Sequence, residues 1–149
     1  MKIIGCGNRD RGDDQAGIVV ARRLRDLGFE AETHSGDALA LLDRWRSDDD
    51  VIVVDAVVSG APLGTIRLWD VAPLGEELPD FAADGAVSSH AFDIRKAIEL
   101  GRTLGKLPSR LRIWGIEGRQ FERGARISPA VLGAVDLVIQ RIRSEVPFP

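Results

Sequence analysis

The segment Lys2–Leu24, KIIGCGNRDRGDDQAGIVVARRL, passes directly from an apolar run into a charged loop and then into a helical repeat. Lys2 to Cys6 breaks at Gly-x-Gly-Asn, the form of a buried strand that opens into a loop at its carboxyl end. Ala16, Ile18, Val19, Ala21 and Leu24 then recur at helical spacing. Asp13 and Asp14 stand ahead of them, where an acid suits both an N-cap and the helix dipole. This predicted helix ends near Gly28.

Outward from that unit the pattern repeats. Phe29 to His34 reads as a weak second strand, and Ala38 to Trp45 as a short amphipathic helix with Leu39, Leu41, Leu42 and Trp45 on its apolar side. Val51-Ile52-Val53-Val54 is an unbroken β-branched run, as in a parallel strand covered on both faces, and Asp55 is expected at its end. Thr65 to Trp69 alternates apolar and polar residues after the turn Gly60–Gly64, which predicts an antiparallel edge. Val71 to Val87, broken by Pro73, Gly75, Pro79 and Gly85, reads as a long loop. Ala91 to Leu104 predicts a helix entered through Ser88-Ser89-His90 and closed by Gly105, followed by a strand at Arg110–Ile116. Ser128-Pro129 opens a last helix that runs to about Ser144. Strands alternating with helices predict a three-layer α/β/α sandwich, a mostly parallel twisted sheet of about five strands with helices on both faces.

At 149 residues the chain has the size of a single domain, 1–149, and its composition is that of an ordinary globular protein. The net charge of −3 is spread among scattered basic residues, which argues against nucleic acid as a partner. The one cysteine, Cys6, forms no internal disulfide, and with two histidines it makes no four-ligand zinc set. Met1 leads straight into a strand with no signal-like segment, and no apolar run approaches the ~20 residues of a bilayer span. A cytoplasmic monomer, away from membranes, is the expectation.

Under this topology Asp14 at a helix start, Asp55 at a strand end and His90 at a helix entry converge near the carboxyl ends of the strands, where such sheets bind ligands. Two carboxylates and an imidazole suit nickel, zinc, iron or manganese and leave coordination positions open. Each residue also has a plainer reading: Asp13 or Asp14 as a helix cap, His90 likewise, and Asp55 as a buried acid, though a carboxylate without a partner is costly there. His34 reads as a half-exposed strand residue with no assigned role.

Other templates are absent: there is no GxSxG elbow, HExxH helix or GxxxxGK-Ser/Thr phosphate loop. Gly5-Cys6-Gly7-Asn8 begins like a dinucleotide fingerprint, but Asp10, Asp13 and Asp14 place three acids where a pyrophosphate would sit, so no organic cofactor is expected. Cys6 or Ser89 with His90 as base is a nucleophilic alternative, against which a strand-end cysteine usually serves as a small core hydrophobe.

GCGNRDRGDDQAG resembles the amino-terminal GxGN, Asp-Asp/Glu, Gly motif of the nickel–iron hydrogenase maturation endopeptidases. The resemblance continues in Val53-Val54-Asp55-Ala56 with Gly60-Ala61-Pro62-Leu63-Gly64-Thr65, in Ser88-Ser89-His90, and in Gly115-Ile116-Glu117-Gly118, covering nearly the whole chain in order. It implies an α/β/α sandwich and removal of a short C-terminal extension from the hydrogenase large-subunit precursor once nickel is inserted. It carries the nickel-recognising and catalytic positions onto Asp14, Asp55 and His90, with the nickel supplied by the substrate. Arg9-Asp10-Arg11 stand where the family often has apolar residues, and Gln15 where a glycine is common, which places charge at the mouth of the site. Two other readings are carried alongside: a metal-sensing, chaperone-like binding module that cuts nothing, and an unrelated metal-dependent hydrolase of small molecules.

Overall fold

The computed structural model describes residues 1–35, 37–79 and 89–145, and for 89–93 the backbone alone. The apolar runs form strands β1 (Lys2–Cys6), β2 (Ala31–His34), β3 (Asp50–Val57), β4 (Ile66–Ala72) and β5 (Arg110–Glu117). Between and after them lie helices α1 (Ala16–Asp26), α2 (Ala38–Leu42), α3 (Ser89–Leu104) and α4 (Pro129–Glu145). The sheet order is β2-β1-β3-β5-β4, parallel throughout except for β4, which pairs antiparallel to β5 at the edge.

Side-chain alternation divides the core between two faces. Ile3, Ile52, Val54 and Ile116 point towards α1 and α4, where they meet Val20, Leu24, Val135 and Val138. Ile4, Val51, Val53 and Ile113 point towards α2 and α3, where they meet Leu41, Ile94, Ala97 and Ile98. Each such side chain, fully buried, contributes roughly 1.5–3 kcal/mol. The result is an α/β/α sandwich. Its amino end is closed by the buried Arg112, which pairs with Asp50 at 3.3 Å and with Glu145 at the end of α4.

Several boundaries differ from the periodicity. α1 starts at Ala16 because Gly12–Gln15 wind as a 3-10 turn, and its cap residue Gln15 makes no side-chain bond. The acids ahead of it therefore do not cap it. α2 stops at Leu42, and Trp45 reaches the core from the next turn with its indole N–H donating to the Lys106 carbonyl at 2.9 Å. β3 does not end at Asp55. Its pairing with β1 stops at Val54, but β5 continues alongside, matching Asp55 with Gly115, Ala56 with Ile116 and Val57 with Glu117. β4 extends to Ala72, into the segment expected to be loop, and of that segment 80–87 lie outside the described residues.

Helix α1 lies directly on the strands. A Cβ on Gly17 would stand 2.2 Å from the Val54 carbonyl oxygen and 2.4 Å from that of Cys6, and one on Gly5 would stand 2.0 Å from the carbonyl oxygen of Gly17. These are backbone atoms that cannot rotate away. Gly17→Ala is therefore expected to destabilise the protein by about 3 kcal/mol or more, at the upper end of overpacking costs; an unchanged midpoint in denaturant unfolding would contradict this contact.

Candidate functional site

Strand order reverses at β1, with β2 on one side and β3 on the other, so a crevice opens above the carboxyl ends of β1 and β3. Asp55 stands on β3 one position past the last residue paired with β1, level with Cys6, which closes β1 and still pairs with His34 of β2. Alternation puts it on the face of Val51 and Val53, towards α2 and α3. It is buried, and its Oδ1 accepts from the amide of Ala56 at 2.9 Å. Gly115 opposite it has no side chain because the Trp69 ring fills the space: a Cβ there would lie 2.7 Å from the indole.

Asp14 enters from the loop after β1. Its amide donates to the Arg11 carbonyl at 3.0 Å and its carbonyl accepts from the Asn8 amide at 3.2 Å, which folds the 3-10 turn back over the strand end. The side chain is buried as well. Both carboxylates act on Cys6. Burial pushes its thiol pKa well above the ordinary value, and the charges of Asp55 and Asp14, with a smaller contribution from Glu32, push it further. Two acids acting on one sulfur mark a shared region of negative potential, which attracts a cation and repels an anion. The thiol itself is buried and held protonated at neutral pH, which makes it a core group and a poor nucleophile.

Ser89 and His90, read as part of the helix entry, already belong to α3, which starts two residues before the expected Ala91. The helix ends shortly before β5 starts at the opposite end of the sheet, so its first turn lies at the crevice end. Ser88 and the His90 side chain lie outside the described residues. Among the described residues the site thus comprises two carboxylates, and no group of three His, Cys, Asp or Glu side chains is placed to hold a metal ion. His34 ends β2 in register with Cys6, a second histidine beside the crevice to which the sequence assigned nothing.

The hydrogenase maturation protease family model matches residues 35–145. The chain belongs to this family. It is 24% identical to the hydrogenase expression/formation protein HupD of Thiocapsa roseopersicina, over 93% of this chain and 67% of that protein. In fold it is similar to the hydrogenase maturating endopeptidase HybD of E. coli, with a TM-score of 0.74 at 20% identity over 97% of this chain and 91% of that one. The NiFe hydrogenase maturation protease HybD of Thermococcus kodakarensis superimposes with a TM-score of 0.73 at 16% identity, over 99% and 100% of the two chains.

Within this family member two further acids support the crevice. Asp13 is fully buried, and its Oδ2 accepts from the amides of Arg119 and Gln120, both at 2.9 Å, and from the Ser128 hydroxyl at 2.9 Å. Its Oδ1 accepts from the Ser128 amide at 2.7 Å. Asp13 therefore ties the loop after β1 to the loop after β5. Gly12 allows the approach: it has φ +52°, and a Cβ there would lie 2.2 Å from the Gln120 carbonyl oxygen. Glu117 does the same on the other side, accepting from the Ser59 amide at 2.9 and 3.1 Å and from its hydroxyl at 2.5 Å. Sequence reading left Asp13 as a helix cap because its donors lie more than 100 residues away. The adjacent Asp13-Asp14 pair holds the only hint, since two neighbouring acids seldom do the same work.

Burial raises the Asp13 pKa, but the hydrogen bonds from Arg119, Gln120 and Ser128 outweigh it and hold the carboxyl below its ordinary value. Folding thus favours the ionised form. Its stabilisation is fully present above the unfolded pKa of about 3.9 and is lost as pH falls through the lower folded value. Asp13→Asn is expected to cost about 2 kcal/mol at pH 7, because an amide nitrogen replaces one acceptor, and to flatten the fall in stability below pH ~4. Denaturant melts across that range provide the test, and a variant curve parallel to wild type would refute the assignment.

Proposed function

We propose that this family member is an endopeptidase that removes the C-terminal extension of a nickel-loaded hydrogenase large-subunit precursor. Asp14, Asp55 and His90 recognise the metal in this reading, and the metal arrives with the substrate. The observation that carries it is the pair of buried carboxylates in one crevice, whose charges converge on Cys6. Oxygen donors in a region of negative potential fit a divalent cation, and two or three protein ligands leave room for the ligands a precursor already provides. Substrate-borne nickel supplies the Lewis acid that polarises the scissile carbonyl.

The chain's own residues then act by position. Asp14 and Asp55 bind and orient the loaded substrate, and an unloaded precursor loses that contact. Proteolysis becomes conditional on metal insertion. The Asp13 and Glu117 clasps hold the rim loops, so the two carboxylates meet the substrate without rearrangement.

Asp14→Asn, Asp55→Asn and His90→Ala should each reduce processing of the nickel-loaded precursor by a factor of roughly 100 or more, read by mass spectrometry of the large subunit. Normal shortening of the precursor by all three variants would sink the reading. Binding of the precursor with no mass change by wild type would convert the protein into a metal-sensing module.

Cys6→Ala should retain processing near the wild-type level, with a stability loss of about 1 kcal/mol for the small cavity. In the native protein Cys6 should also resist alkylation at neutral pH. Loss of cleavage in a folded Cys6→Ala protein would restore the thiol as a candidate nucleophile.

A further inference from the structure

We infer that the two loops at the mouth of the crevice form a cationic platform that docks an acidic segment of the precursor protein. This rests on the proposed proteolytic function and adds to it the chemistry of substrate recognition outside the crevice. Arg9 and Arg11 lie in the loop after β1, and Arg119, Arg123 and Arg126 in the loop after β5. Four of these are exposed and Arg11 is half-buried.

The loops are welded, so the five arginines share one surface although 110 residues separate Arg9 from Arg119. The Gly124 amide donates to the Asp10 carbonyl at 2.6 Å, and the Asp13 amide donates to the Gln120 carbonyl at 2.7 Å. The Arg119 amide reaches the Asp13 carboxylate at 2.9 Å, and a Cβ on Gly12 would stand 3.2 Å from that of Ala125. Each arginine is a member or the immediate chain neighbour of a residue in this seam. Two exposed carboxylates, Asp10 and Glu122, share the two loops, so the side chains that reach solvent there carry an excess of three positive charges, while Asp13 and Asp14 lie buried beneath them.

The excess is local, because the chain as a whole carries −3. Among the described residues none of the five guanidinium groups has a carboxylate within ion-pair distance, whereas Arg23, Arg44 and Arg110 each meet one. One exposed ion pair contributes only about 0–1 kcal/mol, so a single arginine would decide little. Several on a rigid seam can steer an acidic partner and hold it bidentately without ordering the backbone first. The platform adjoins Asp14, whose amide is bonded to the Arg11 carbonyl at 3.0 Å. A short acidic protein segment fits this arrangement. A long polyanion such as nucleic acid would also meet the field of Asp14 and Asp55 behind the platform.

The test uses the full chain with nickel-loaded precursor at a series of salt concentrations, comparing wild type with R9E/R11E and R119E/R123E/R126E. KM and the binding constant should rise roughly tenfold in each, with kcat within about twofold and with a weaker dependence on salt. R141E/R143E on α4 should behave as wild type. Arg→Gln versions should fall between, with thermal midpoints unchanged in every variant. Unchanged KM and binding in both reversed variants would overturn the platform while leaving the proteolytic reading intact. Salt-sensitive, arginine-dependent binding by a wild-type chain that never shortens the precursor would overturn proteolysis and retain the platform. Tighter binding to a short DNA duplex than to the precursor would overturn the assignment of a protein partner.

Discussion

Backbone touches backbone where α1 crosses the sheet, and the site takes its shape from that contact. Gly17 rests on the carbonyls of Val54 and Cys6, and Gly5 receives the carbonyl of Gly17, so the helix cannot be lifted by a side chain at either position. The turn that precedes the helix is thereby brought down over the end of β1, and Asp14 arrives beside β3 rather than in solvent. Asp55 lies level with Cys6, the last residue of β1, and β3 runs on beyond it with only β5 alongside. Close packing at two glycines thus determines the position of a carboxylate three residues away.

Among the described residues four acids lie buried around this end of the sheet, and their surroundings give them two kinds of work. Asp13 and Glu117 each collect several hydrogen bonds from loop amides and hydroxyls, which offsets the cost of burying their charge. They are loop clasps. Asp14 and Asp55 instead both act on Cys6, whose thiol pKa is raised first by burial and then by the charges of these two carboxylates. Rigid clasps outside and negative potential inside suit a crevice that must recognise a cation before any bond is cut.

Charge is sorted by depth in the same region. The buried Asp14 and Asp55 are in the crevice floor and the arginines on its rim, on loops joined through Asp10 and Asp13. A substrate that presents a cation and an acidic segment side by side would match both layers. Neither layer is visible in the net charge of −3, which averages over them.

The sequence by itself determined the sandwich, the two-faced parallel core and the approximate place of Asp14 and Asp55, because periodicity and β-branched runs report which faces are buried. It also placed β4 at an antiparallel edge, since Thr65 to Trp69 alternate as a half-solvated strand does. The motif order GCGNRDRGDDQAG, VVDA, SSH and GIEG pointed to the family that the match over residues 35–145 establishes. Only the tertiary structure decided that Asp13 is a clasp, that β3 runs past Asp55, and that the loops carrying Arg9 and Arg119 are bonded together. Those facts depend on hydrogen bonds and strand pairings between residues some 60 to 110 positions apart. Local patterning carries no record of such partners, because a residue's periodicity reports its own burial and not the identity of what buries it.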